Sequence, residues 1–290
     1  MAIVLFANLK GGVAKTTNAV AVAECLAAQG YKTLAIDADH QCMMGELLTG
    51  EDQLFHCEQR RSTLHDLLVA MLDDEFTDDR FPHFIVDKAS DIAGGLDTLA
   101  VLPCSLRIDD FQTNVAKARR GYNTTEEFYN IFKRRRRMFR NWLNKHYEYT
   151  IVDCPPSIPV QVRVMLSVAD AFIIPSVPDR LSVRGSQLLV HRVRKLGYKC
   201  AGLGTLWSLH RKQTAIHNET IARAKTGAPP FDYLPRPFDV VIPNAAAIAK
   251  AAEPEQHPKT FSEKYASPFA KLFNNLCGEI IARCGRLDDV

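Results

Sequence analysis

Short apolar runs alternate with longer stretches in which apolar residues recur at helical spacing along most of the chain. We predict buried strands at residues 2–8, 33–36, 98–102, 150–153, 171–175, 200–208 and 233–234. Between them we predict helices at residues 15–29, 63–72, 160–168, 182–196, 214–225, 244–252 and 268–283. Strands that alternate with helices pair in parallel and are covered on both faces. The pattern therefore predicts an α/β fold, with a mostly parallel twisted sheet between two layers of helices.

The length and composition favour one folded domain. The chain has 290 residues, 47% of them hydrophobic, which is enough for a sizeable core and excludes a largely disordered chain. We find no convincing linker and predict a single domain over residues 1–290. The eight cysteines include no C-x-x-C pair, which predicts reduced, mostly buried thiols in a cytoplasmic protein. A metal cluster is the lesser alternative.

The net charge of +3 conceals an uneven distribution along the chain. Residues 37–110 carry a net charge of −12, whereas residues 180–250 carry +9. This asymmetry suggests a polyanionic partner for the later half, although solvated faces that cancel in the fold are the alternative. The densest basic run is 133–137, joined by Arg140. It is either a second contact to an anion or a solvated face that pairs with the acidic loop at 73–79, and we favour the second interpretation.

The strongest chemical signal lies between the first strand and the first helix. It reads Asn-Leu-Lys-Gly-Gly-Val-Ala-Lys-Thr-Thr over residues 8–17. Backbone N–H groups of such a loop, and the positive end of the helix that follows, bind phosphate. Leu9 and Ala14 break the standard G-x-x-x-x-G-K-T pattern, and we expect Ala14 to be accommodated with a negative φ. The predicted ATP contacts in this loop are Lys10, Gly11, Gly12, Val13, Ala14, Lys15, Thr16 and Thr17.

This loop, with its second lysine at Lys10, resembles the deviant Walker A motif of the ParA/MinD family of P-loop ATPases. Residues 35–41, Ala-Ile-Asp-Ala-Asp-His-Gln, are similar to the D-x-D-x-Q segment of that family, and the apolar run that ends at Asp153 is similar to its Walker B strand. The resemblance implies ATP and Mg²⁺ as cofactors, with Asp153 and Thr16 at the metal. It also implies that Asp37 orients or activates the attacking water and that Asp39 lies in a switch that senses the γ-phosphate.

The resemblance assigns further roles that rest on weaker matches. Residues 234–236, Leu-Pro-Arg, are similar to an element that follows the last strand of the family, which implies that Pro235 and Arg236 contact the adenine. In the family, the lysine equivalent to Lys10 crosses a dimer interface to the nucleotide of the partner. The implied catalytic residues are thus Lys10, Lys15 and Asp37.

A short partitioning ATPase of the ParA type is the leading functional hypothesis. It implies an ATP-dependent homodimer, non-specific DNA binding, a ParB-like centromere-binding partner and a cytoplasmic, nucleoid-associated location. The candidate DNA contacts are Arg192, Arg194, Lys195, Arg211, Lys212 and Arg223. The alternatives are an ATPase that positions a cargo other than DNA and a MinD-like membrane-associated ATPase. We expect no stable membrane association, because anionic lipid would repel Asp288 and Asp289.

Overall fold

A computed structural model describes residues 1–253 and 257–287. Within this part of the chain the strands are β1 (Ala2–Phe6), β2 (Thr33–Asp37), β3 (Val86–Asp87), β4 (Leu99–Leu102), β5 (Tyr149–Asp153), β6 (Ala171–Ser176), β7 (Ala201–His210) and β8 (Pro237–Pro243). They form one sheet in the order β3-β4-β2-β5-β1-β6-β7-β8. Each neighbouring pair is parallel except the antiparallel pair of β3 with β4. The prediction of a mostly parallel sheet is confirmed.

Helices cover both faces of this sheet, as predicted. They are α1 (Lys15–Ala28), α2 (Met43–Thr49), α3 (Glu51–Gln59), α4 (Leu64–Ala70), α5 (Phe111–Arg119), α6 (Thr125–His146), α7 (Val160–Val168), α8 (Arg180–Lys195), α9 (Ala215–Lys225), α10 (Ala246–Lys250), α11 (Phe261–Tyr265) and α12 (Ser267–Gly285). Helices α4 to α8 pack on one face of the sheet, whereas α1, α2, α11 and α12 pack on the other.

The central strand β1 shows why these strands read as continuous apolar runs. Ile3 and Leu5 pack with the layer of α4 to α8, and Val4 and Phe6 pack with the layer of α1 and α12. All four side chains are buried because both faces of the strand are covered. Strand β1 lies between β5 and β6, so the loop after Phe6 leaves the sheet at its middle.

The structure corrects one predicted strand. Residues 233–234 form part of a turn, and the last strand is Pro237–Pro243. Prolines at both ends of this segment weakened its strand signal. They are tolerated because β8 lies at the edge of the sheet, where one side of the backbone has no strand neighbour to bond.

Two further expectations concern metal and membrane. All eight cysteines are free and buried, as predicted, and no group of three or more His, Cys, Asp or Glu side chains that could hold a metal ion occurs within residues 1–253 and 257–287. In the same ranges, no helix is long and apolar enough to cross a bilayer. Asp288 and Asp289, on which the expectation about lipid rested, lie outside the described residues.

Candidate nucleotide site

The predicted phosphate loop lies between β1 and α1, at the carboxyl edge of the sheet. Gly12 and Ala14 both adopt left-handed backbone conformations, with φ of 70° and 59°. The expectation of a negative φ at Ala14 was therefore wrong, and the methyl group there costs on the order of 1 kcal/mol relative to glycine. Ala14 is also the N-cap of α1 and provides no side-chain cap. The amino end of α1 thus offers its positive dipole to an anion.

Lys15 is the lysine that this loop encloses. Its side chain is largely buried, and Nζ lies 3.4 Å from the carbonyl oxygen of Lys10, to which it donates. Burial lowers the pKa of Lys15, while the charges of Asp153 and Asp39 oppose that shift. A bound phosphate would add negative charge beside the ammonium group and relieve the cost of its burial.

Asp153 and Thr16 meet beneath the loop. The hydroxyl of Thr16 donates to Oδ2 of Asp153 at 2.5 Å, and Oδ1 of this fully buried carboxyl has no hydrogen-bond partner among residues 1–253 and 257–287. Burial and the nearby Asp37 raise the pKa of Asp153 well above its ordinary value. A buried carboxylate oxygen without a partner, next to a hydroxyl, fits Mg²⁺, which takes few protein oxygens and completes its shell with phosphate and water.

The two carboxylates of the D-x-D segment have different surroundings. Asp37 is fully buried, and its oxygens accept the N–H groups of Asp39 at 3.1 Å and Gly45 at 2.9 Å. Burial raises the pKa of Asp37 to about 7. Asp39 is partly exposed, accepts the N–H of Gln41 and lies close enough to influence the pKa of Lys15. Asp37 therefore ties down the start of the following segment, whereas Asp39 faces the loop.

Asn8 is a structural residue of the loop that sequence reasoning did not single out. Its Nδ2 donates to the carbonyl of Pro175 at 2.7 Å and to Oγ of Ser186 at 3.1 Å, and its Oδ1 accepts the N–H of Lys10 at 3.0 Å. A Cβ added at Gly185 would lie 3.0 Å from Oδ1 of Asn8 and 3.1 Å from Cβ of Lys10. The loop is therefore packed directly against α8. No local signal reveals this, because the partners lie about 170 residues away.

Asn18 joins the first turn of α1 to the end of β7. Its Nδ2 donates to the carbonyl of Ala14 at 2.7 Å and to Oγ of Ser208 at 2.9 Å. Its Oδ1 is buried and has no hydrogen-bond partner among the residues that the structure describes. Strand β7 thus ends beside the loop, and the backbone N–H of Asn244, just after β8, donates to the carbonyl of His210 at the same edge.

Pro235 and Arg236 lie at the other end of β8, before its first residue. Pro235 packs on β7 so closely that a Cβ at Gly202 would approach Cγ of Pro235 to 2.5 Å. The carbonyl of Arg236 accepts a hydrogen bond of 2.8 Å from Arg283 in α12. The structure does not bring these two residues to the phosphate loop, and their contacts are those of packing between strand and helix.

The candidate DNA contacts are all exposed but fall into separate places. Arg192, Arg194 and Lys195 occupy the last turn of α8. Arg211 and Lys212 follow β7 at the carboxyl edge of the sheet, where the phosphate loop also lies. Arg223 is in the last turn of α9, where it donates to the carbonyl of Pro229 and lies over the ring of Phe231.

Comparisons with known proteins agree with this arrangement. A family model described as AAA domain matches residues 1–201. The chromosome partitioning protein ParA of Caulobacter vibrioides is 27% identical over 288 residues, covering 97% of this chain and 94% of that protein. McdA of Cyanothece in complex with ATP is 20% identical and superposes with a TM-score of 0.69, covering 97% of this chain and 96% of that one. The ParA of pNOB8 is 17% identical with a TM-score of 0.67, covering 98% and 99%. The chain therefore belongs to the AAA domain family, and its relatives there are P-loop ATPases of the ParA type.

Proposed function

We propose that this chain is a partitioning ATPase that hydrolyses ATP with Mg²⁺ and moves plasmid or chromosome DNA. In this proposal ATP drives homodimerisation and non-specific DNA binding, and a ParB-like centromere-binding protein stimulates hydrolysis. The observation that carries the proposal is the convergence of Lys15, Thr16 and Asp153 behind the phosphate loop, with Lys10 exposed in front of it. The partitioning role rests on family membership and on the name of the ParA relative.

Nucleotide binding follows from the donors around the loop. The amino end of α1 and the ammonium group of Lys15 supply positive charge for the β and γ phosphates, and Thr17 supplies a hydroxyl for the α-phosphate. Mg²⁺, held through Thr16 and Asp153, would neutralise charge on the transferred phosphoryl group. We propose that the adenine of ATP lies at the carboxyl ends of β7 and β8, rather than at Pro235 and Arg236, because ligands of open α/β sheets bind at that edge.

We assign the orientation of the attacking water to Asp39 rather than Asp37. A residue that contacts the water must present an oxygen toward the phosphates. Both oxygens of Asp37 already accept backbone N–H groups, which supports a role in holding the segment that carries Asp39. Asp39 is partly exposed on the side of Lys15, which supports contact with the γ-phosphate or the water.

Lys10 is the residue that we expect to couple ATP to dimerisation. Its amide is held by Asn8 while its side chain points into solvent, so the ammonium group is free to reach the nucleotide of a second subunit. Positive charge supplied from a partner stabilises the phosphoryl transition state. Lys10→Ala should retain ATP binding but remain monomeric in light scattering with ATP. A normal ATP-dependent dimer of this variant would contradict the proposal.

DNA binding and cargo can be tested together. The chain should bind random-sequence duplex DNA with ATP at least about tenfold more tightly than with ADP, and the affinity should fall steeply with salt. Equal or absent binding in both nucleotide states would overturn the DNA part of the proposal and favour an ATPase that positions another cargo. Binding to anionic liposomes in a sedimentation assay would favour the MinD-like alternative. Nucleoid association in cells is the corresponding expectation for localisation.

A further inference from the structure

A basic cavity lies at the edge of the sheet opposite the phosphate loop. It has a volume of about 1260 Å³ and is lined by the start of β1, the segments that enter β6 and β7, and one face of α6. The carboxyl ends of the strands carry the nucleotide site, so this cavity is separated from it by the length of the sheet. None of the residues assigned above to ATP or Mg²⁺ lines it.

The basic run of α6 divides between two sides of the helix. Lys133, Arg136, Arg137 and Arg140 have the spacing i, i+3, i+4 and i+7, which places them on one face, and all four line the cavity. Arg135 lies on another side and donates to the carbonyls of Asp74 and Phe76 in the acidic loop. The favoured interpretation of the run therefore holds for Arg135, through backbone oxygens, but not for the residues of the cavity.

Positive charge in the cavity exceeds negative charge by a wide margin. Its described lining residues include six basic side chains and one acidic side chain, Asp170. Asp170 is already engaged, because it accepts hydrogen bonds from Arg140 and from the N–H of Ile3. The basic lining residues are Lys133, Arg134, Arg136, Arg137, Arg140 and Lys199.

Arg136 is a cation of this lining that is partly removed from water. It is half-buried over the ring of Phe132, and its Nε is buried without a hydrogen-bond partner in the part of the chain that the structure describes. Burial lowers the pKa of its guanidinium, which reflects the cost of holding this charge away from water. A half-buried guanidinium with one buried, unpaired N–H group is stabilised when an anion enters its pocket.

We propose that this cavity, which we call the α6 cavity, is a second binding site for the phosphate backbone of DNA. The inference rests on the DNA binding in the proposed function and adds a surface to it. The wall at residues 196–200 directly follows the exposed Arg192, Arg194 and Lys195 of α8, so positive charge continues beyond the cavity. An extended polyanion uses such a continuous surface, whereas a small anion needs only the cavity.

The position of the α6 cavity is compatible with an ATP-dependent dimer. A dimer joined through Lys10 meets at the carboxyl edges of the two sheets, and the two α6 cavities then lie on the outer ends. DNA bound there does not compete with dimerisation, and each subunit keeps its own contact. Guanidinium and ammonium contacts to phosphate carry no sequence information, which suits non-specific binding.

Salt-dependent DNA binding tests the site directly. We would measure the affinity of the full chain with ATP for a labelled random duplex between about 50 and 200 mM salt. The double variant Lys133→Gln with Arg137→Gln removes two exposed charges of the α6 cavity. It should reduce the affinity at least about tenfold and lower the slope of log K against log salt by about 1.8, since each lost phosphate contact contributes about 0.9.

Two control variants separate a lost contact from a general effect. Arg119→Gln with Arg120→Gln removes the same charge from exposed positions that do not line the cavity, and should leave affinity and slope within about twofold of wild type. Lys133→Arg with Arg137→Lys keeps the charge and should retain DNA binding. Thermal unfolding of each variant checks its fold.

The outcomes distinguish the two proposals. If wild type binds DNA with ATP but Lys133→Gln with Arg137→Gln retains its affinity and slope, the α6 cavity is not a DNA site and the proposed function stands. If wild type itself shows no ATP-dependent binding, the proposed function fails and this inference fails with it. An acidic peptide that binds wild type and not the double variant, with DNA affinity unchanged, would assign the cavity to a protein partner and overturn the proposal.

Discussion

The contact between the phosphate loop and α8 leads to a quantitative prediction for Asn8→Ala. The substitution removes the acceptor of the Lys10 N–H and the donor to the carbonyl of Pro175. A polar group left buried without a partner costs about 1–3 kcal/mol. The lower part of that range applies to the amide of Lys10, which is only partly buried. We therefore expect Asn8→Ala to lower the free energy of unfolding by about 2–4 kcal/mol.

Urea unfolding followed by circular dichroism measures this loss, and repeating it with ATP measures the effect on binding. Saturating ATP stabilises the folded state by an amount that depends on its Kd. Asn8→Ala releases the start of the loop, so ATP should raise its free energy of unfolding by less than it raises that of wild type. Asn141→Ala is the matched control, since Asn141 is exposed on α6 and should change the stability by no more than about 0.5 kcal/mol.

The reasoning would be refuted if Asn8→Ala had the same free energy of unfolding as wild type and gained as much stability from ATP. The three hydrogen bonds of Asn8 would then not hold the loop. Gly185→Ala approaches the same contact from α8. It should favour the helix by about 1 kcal/mol but crowd Lys10, so its affinity for ATP should fall while its stability is maintained.

Three further substitutions test separate parts of the structure. Asp39→Asn should lower kcat about 100-fold with less than about threefold change in the Kd for ATP, measured by phosphate release and fluorescence titration; a normal kcat would return the water-orienting role to Asp37. Ala14→Gly removes the methyl group from a left-handed position and should raise the free energy of unfolding by about 1 kcal/mol in urea titrations. An unchanged free energy would mean that Ala14 is not strained. Burial alone would raise the pKa of Asp66, but hydrogen bonds from Arg107 and Thr63 have the larger effect and hold this pKa below its ordinary value. Asp66→Asn should therefore cost about 1–3 kcal/mol at pH 7, and the difference from wild type should shrink as the pH falls below about 4; a constant difference would exclude this linkage.

The alternation of apolar runs was sufficient to predict the parallel sheet and its two helical layers. Each of the buried strands β1, β2, β5 and β6 has both faces covered, so its sequence is mostly apolar, and helices lie before and after these strands along the chain. The prediction missed β3, which has two residues, and misplaced β8, whose prolines suit an edge but lower its strand signal. Edge strands follow local composition less closely because only one side of them is paired.

The candidate site was predicted where the chemistry is local and missed where it depends on distant residues. The strand–loop–helix order was enough to place Lys15 and Thr16, and a strand ending in an acid was enough to place Asp153. The left-handed φ of Ala14 has no local signal, since alanine rarely adopts it. The surroundings of Asp37 also depend on a residue outside the motif, since Asp37 accepts the N–H of Gly45 in α2.

The packing of the phosphate loop on α8 has a thermodynamic consequence. Helix α8 meets Asn8 at Ser186, near its middle, and carries its basic residues in the last turn, about 14 Å further along the helix. A rigid helix that is shifted where it meets the loop also shifts these basic residues beside the α6 cavity. If ATP strengthens DNA binding through this helix, then DNA must strengthen ATP binding by the same factor, because the coupling free energy belongs to both ligands. The affinity for nucleotide should therefore report whether DNA is bound.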